Sequence, residues 1–112
     1  MRVFGYLRRE PTLDAPHQAA WLEAQRLAIR RFCRKKRMEL ANFFESKDPW
    51  YFEDPTLEEM LTALERGEAD CTVLCREYEG LTSFKIDHLE KMVELRFYTQ
   101  RFRFPLLAEE AI

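Results

Sequence analysis

Residues 54–74 read DPTLEEMLTALERGEADCTVL, and the architecture turns on them. Leu57, Met60, Leu61 and Leu64 fall at i, i+3, i+4 and i+7, the spacing that sets four apolar side chains on one face of an α-helix. Pro55 and Thr56 suit the start of that helix, where a missing N–H leaves no bond unmade, and Gly67 suits its end, where the backbone turns left-handed. Cys71 to Cys75, CTVLC, then runs apolar or β-branched throughout, as a short strand buried on both faces does. An amphipathic helix leading into a doubly buried strand is the repeating unit of a layered α/β domain.

The same unit recurs towards the N-terminus. Glu39 to Glu45, ELANFFE, reads as a strand. Before it a long helical pattern spans about Pro16 to Met38, with Asp14 as N-cap and Pro16 inside the first turn. Trp21, Ala24, Ala28, Ile29 and Phe32 make its apolar stripe, with Leu22 and Cys33 at the edges, and Arg26, Arg30, Arg34 and Arg37 lie opposite, facing water. Arg2 to Leu7 alternates Val3 and Gly5 with Phe4 and Tyr6, both sets largely apolar, as in a central strand. Beyond CTVLC, the spacing of Ile86, Leu89, Val93 and Phe97 predicts a third helix over about Ser83 to Tyr98. RFRFPLL, residues 101–107, supplies a last strand whose ladder Pro105 limits. The expected order is βαβαβαβ. It implies a single three-layer α/β domain of the flavodoxin-like kind, with a mainly parallel four-stranded sheet and helices on both faces.

Length and composition agree with one domain. The chain has 112 residues, 46% hydrophobic and 34% charged, the balance of a soluble globular fold. No stretch reads as a membrane span or signal peptide, so no membrane partner and a cytoplasmic location are expected. The three cysteines are odd in number; Cys71 and Cys75, four apart on one strand, share a face and read as buried thiols. Neither Cys33 nor the two histidines, His17 and His88, stand at a spacing that completes a zinc site, so no metal or cofactor is expected. The net charge of −2 gives no overall field drawing the molecule to nucleic acid. The charges are segregated nonetheless: Arg30 to Arg37, RRFCRKKR, holds six basic residues in eight, and the charged residues from Glu45 to Asp70 are mostly acidic.

In a parallel sheet functional groups gather beyond the carboxyl ends of the strands, after Leu7, Glu45 and Cys75. VFGYLRRE, a following helix that carries Gln25, MELANFFES and DPTLEEMLTALERGEADCTVL together resemble the N-terminal catalytic domain of the serine recombinases, the resolvase and invertase family. The resemblance covers nearly the whole chain and rests on order and spacing. In that family the first strand ends in Tyr-x-Arg-x-Ser, an Arg-Pro pair opens the second helix, and Asp-Arg-Leu-x-Arg follows the third strand. The serine attacks a DNA phosphodiester and the arginines hold the phosphate.

This chain keeps the frame and departs at the chemical positions. Tyr6 and Arg8 match, but Glu10 stands where the resemblance places the nucleophile. A carboxylate there does not readily form the phosphodiester link, and its charge repels phosphate. Arg-Pro becomes Asp54-Pro55. In REYEGLTSF, residues 76–84, either Tyr78-Glu79 or Glu79-Gly80 takes the Asp-Arg place, and neither alignment restores the arginine cluster that phosphoryl transfer requires. The expectation is a degenerate, catalytically inactive member of that fold, spanning 1–112 with no C-terminal DNA-binding domain.

Three surfaces carry alternatives. Trp50, Tyr51 and Phe52, in DPWYFEDP, are three consecutive aromatics in a loop, either a partner-binding contact or a cover over the sheet end. Arg26, Arg30, Arg34 and Arg37 are either a solvated face or a weak duplex-binding surface. Glu10, Glu45, Asp54 and Glu79 are either solvated loop carboxylates, the favoured reading, or a Mg²⁺-dependent acidic site. Arg8 is expected to pair with Glu10 or Asp54. Association with a protein partner or with itself is the leading functional expectation, and DNA association the second.

Overall fold

A computed structural model of the protein describes residues 1–46, 55–75, 90–98 and 105–110. The elements in chain order are β1 (Arg2–Leu7), α1 (Ala15–Lys35), β2 (Glu39–Glu45), α2 (Pro55–Glu65), β3 (Cys71–Cys75), β4 (Val93–Tyr98) and β5 (Pro105–Glu110). They form one five-stranded sheet in the order β2-β1-β3-β4-β5. β1 pairs in parallel with β2 and β3, whereas β3–β4 and β4–β5 are antiparallel.

The first half follows the expected plan. The chain steps from β1 outward to β2 and then back across β1 to β3, and crossovers of one hand place the two connecting helices on opposite faces. Val3 and Leu7 of β1 pack with α1 residues Trp21, Ala28, Ile29 and Phe32, while Phe4 and Tyr6 pack with α2 residues Met60 and Ala63. Gly5, on the α1 side, has no room for a side chain, because the ring of Phe43, its neighbour on β2, fills that space. A Cβ there would stand 2.5 Å from Cδ1 of Phe43 and 3.4 Å from Cγ2 of Ile29.

β2 holds an irregularity that alternation alone does not reveal. Val3 pairs with Leu40 and Phe4 with Asn42, leaving Ala41 as an extra residue. This bulge reverses the parity of the strand. Leu40 and Phe43, three apart, therefore both face α1, and Ala41 and Phe44 both face α2.

Asp14 caps α1, its carboxylate accepting the His17 N–H at 3.0 Å, and proline sits in the first turn. Both helices end in the same way. Beyond α1 the N–H groups of Arg37 and Met38 donate to the carbonyls of Arg34 (3.2 Å) and Cys33 (2.8 Å); beyond α2 those of Gly67 and Glu68 donate to Leu64 (3.0 Å) and Ala63 (3.1 Å). This pair of bonds defines a Schellman end, which turns on one left-handed residue. In α2 that residue is Gly67, φ 78°, and in α1 it is Arg37, φ 56°. Helix α1 thus stops at Lys35 and not near Met38.

The second half corrects the expected plan. Val93–Tyr98 is a strand rather than the end of a third helix, with Val93 and Leu95 buried against the α1 side. Residues 83–89 of the expected helix lie outside the described residues. The sheet is accordingly mixed and five-stranded, not mainly parallel and four-stranded. The last strand runs Pro105–Glu110 and opens at Pro105, which pairs with Tyr98. No helix among the described residues is long and apolar enough to cross a membrane.

Candidate functional site

The carboxyl ends of β1, β2 and β3 meet at one end of the sheet, and strand order reverses between β1 and β3, where open α/β sheets keep their ligands. What lies there follows from how the chain leaves β1. Gln25, fully buried on α1, donates from Nε2 to the Arg8 carbonyl at 2.8 Å and accepts the Arg8 N–H at Oε1 at 3.1 Å. Two turns earlier on the same helix Gln18 repeats this on Glu10, with Nε2 donating to the carbonyl at 2.8 Å and Oε1 accepting the N–H at 2.9 Å. The two carboxamides act as a short edge strand and fix the segment 8–10 that a free loop would leave mobile.

With its backbone held, each side chain has a defined direction. The Arg8 guanidinium reaches across to β3 and donates to the carbonyl of Cys75. Arg9 turns towards β2: its N–H donates to Ser46 Oγ at 3.1 Å, its Nε to the Ser46 carbonyl at 3.0 Å, and its terminal nitrogen lies 3.6 Å from Glu45. Glu45 also meets Arg26 at 3.5 Å, which in turn pairs with Glu23 at 3.1 Å. Glu10 points into its own turn and accepts from the Thr12 hydroxyl at 3.0 Å. Glu10 is thus held by Thr12, and Arg8 reaches Cys75 rather than Glu10; the other expected partner of Arg8, Asp54, lies outside the described residues. Arg26 is half-buried in the carboxylate network and does not simply face water.

The cysteines are structural. Cys33, Cys71 and Cys75 are buried on the α1 side of the sheet. Burial pushes the Cys33 thiol up to about 11. It pushes Cys75 up to about 12, with Arg8 opposing the rise and Glu94 adding to it. A thiol so placed is protonated near neutral pH and is a poor nucleophile or ligand. Among the described residues no three His, Cys, Asp or Glu side chains are grouped to hold a metal ion, and Glu45 is already neutralised by Arg9 and Arg26.

Of the other expected residues, Arg30 lies over the Phe43 ring, 5.3 Å from its centroid, and Arg34 and Arg37 are exposed. Asp54, Tyr78, Glu79, Trp50, Tyr51 and Phe52 lie outside the described residues. Gln18 and the anchoring role of Gln25 were not foreseen. Their signal was available: two glutamines seven apart on one helix, the second amid an apolar stripe, where a buried amide needs backbone partners. No protein-family model, curated protein or solved structure matches the chain.

Proposed function

We propose that this is a non-catalytic, resolvase-like α/β domain that works by associating with protein. One observation carries the reading: the cations at the strand ends are turned onto the chain itself, Arg8 onto the Cys75 carbonyl and Arg9 and Arg26 onto Ser46 and Glu45. Phosphoryl transfer needs cations preorganised towards an open position and a nucleophile within their reach. Here a phosphate would have to displace internal bonds and approach the carboxylate of Glu10. The frame resembles that of the serine recombinases in its β1–α1–β2–α2–β3 order, and Tyr6 and Arg8 stand at the matching positions, but the carboxylates of Glu10 and Asp54 replace the serine and the arginine that the chemistry uses.

The second reading, duplex binding through α1, draws on the exposure of Arg34 and Arg37. Fluorescence anisotropy with a labelled random duplex, at low and at physiological salt, separates the two. The association reading expects no binding at physiological salt; binding that persists there and falls steeply with added salt would replace it with the duplex reading.

A further inference from the structure

Several charges at the helix ends make no ion pair among the described residues. At and just past the last turn of α1 stand Arg34, Lys35, Lys36 and Arg37, all exposed. Lys35 meets Glu90 at 3.6 Å, but Arg34, Lys36 and Arg37 make no ion pair among the described residues. At the end of α2, Glu65 and Glu68 are exposed and likewise make none, and Arg66 is the one cation interspersed there among the described residues. Carboxylates at a helix C-terminus face the negative end of its dipole, so Glu65 and Glu68 sit where charge of their sign is disfavoured. Arg37 occupies the left-handed position that its counterpart fills with Gly67, so a cation is kept at that tip against backbone preference.

The fold sets these two groups symmetrically. Both helices run back from the carboxyl ends of the strands, so both C-termini flank the start of β1. The N–H of Glu39, just past α1, donates to the Met1 carbonyl at 3.0 Å, and that of Asp70, just past α2, donates to the Arg2 carbonyl at 2.8 Å. Because α1 and α2 cover opposite faces, the basic tip lies on one side of the sheet and the acidic tip on the other. A two-fold axis in the sheet plane, perpendicular to the strands, brings the basic tip of each copy against the acidic tip of the other, twice.

We infer that a second copy of this chain docks across this end of the sheet, with Arg34, Lys36 and Arg37 of each copy facing Glu65 and Glu68 of the other. This rests on the association reading and names its partner and surface. Duplex DNA would find the same cations but would leave the acidic tip on the other face unpaired, whereas a second copy matches both tips at once.

Sedimentation velocity across a concentration series, at about 0.05 M and about 0.5 M salt, tests it. A dimer at low salt that dissociates at high salt is expected. Arg34→Glu with Arg37→Glu, and separately Glu65→Lys with Glu68→Lys, should each raise the dissociation constant about tenfold or more, since two contacts become repulsive. An equimolar mixture of the two variants, or one chain carrying all four changes, should associate again, a result that damage to folding does not mimic. A dimer equally tight in the unaltered chain and in every variant overturns the inference while leaving association through another surface standing. A monomer at both salt concentrations overturns it too, and the non-catalytic reading is then judged by DNA assays alone.

Discussion

The Gln25 carboxamide and the Arg8 peptide groups close a two-bond ring, 3.1 Å and 2.8 Å, between the middle of the first helix and the first residue past the first strand. That ring decides where Arg8 points. It joins helix packing to site geometry, because Gln25 lies in the same buried stripe as Ala28 and Ile29.

Replacing Gln25 by leucine keeps the volume but strips both Arg8 backbone groups of their partners in a water-poor setting. A loss of about 2–4 kcal/mol in urea unfolding is expected. Gln18→Leu, at the more exposed repeat of the motif, should lose about 1 kcal/mol or less, because water can replace the amide at Glu10. Equal losses at the two positions would show that burial of the amide is not what matters.

The two Schellman ends allow an exchange of roles. Arg37→Gly removes the left-handed penalty and should stabilise the protein by about 1 kcal/mol, and Gly67→Ala should destabilise it by about as much. Thermal melts at high salt, where exposed charges are screened, read the backbone effect alone.

These same residues show what was legible in the sequence. The end of α2 was marked by Gly67, whereas α1 was read about three residues too long because Arg37 carries no such mark. The strand β4 was taken for helix because Leu89, Val93 and Phe97 are spaced by four, a multiple of the strand period and close to one helical turn, so they share a face in either form. The intervening Glu94 and Arg96, paired at 2.6 Å, speak for the two-residue period. The bulge at Ala41 left no compositional trace. At the site, the place of Glu10 was read only through the resemblance, and the inward turn of Arg8 and Arg9 depends on Cys75 and Ser46, which are distant in sequence.

Acid should reveal the cap of α1. The His17 backbone N–H, and then its ring nitrogen, hold the Asp14 carboxyl below the ordinary carboxylate range. A group whose value is depressed on folding adds stability that is complete above its unfolded value, about 4, and is lost as the pH falls through the folded one. Asp14→Ala should therefore destabilise the protein near neutrality, with the deficit shrinking in strong acid. Asp14→Asn, which still caps, should keep most of the neutral stability and flatten the acid limb of the urea midpoint against pH.

The most direct test of the account is to place a serine at position 10, where the resemblance expects a nucleophile. Glu10→Ser, incubated with duplex DNA and run on a denaturing gel, should give no covalent protein–DNA band, because Arg8 remains bound to the Cys75 carbonyl and Arg9 and Arg26 to Ser46 and Glu45. A band formed by Glu10→Ser and absent from both the unaltered protein and Glu10→Ala would contradict it, and would mean that the strand ends still hold a working phosphoryl-transfer site.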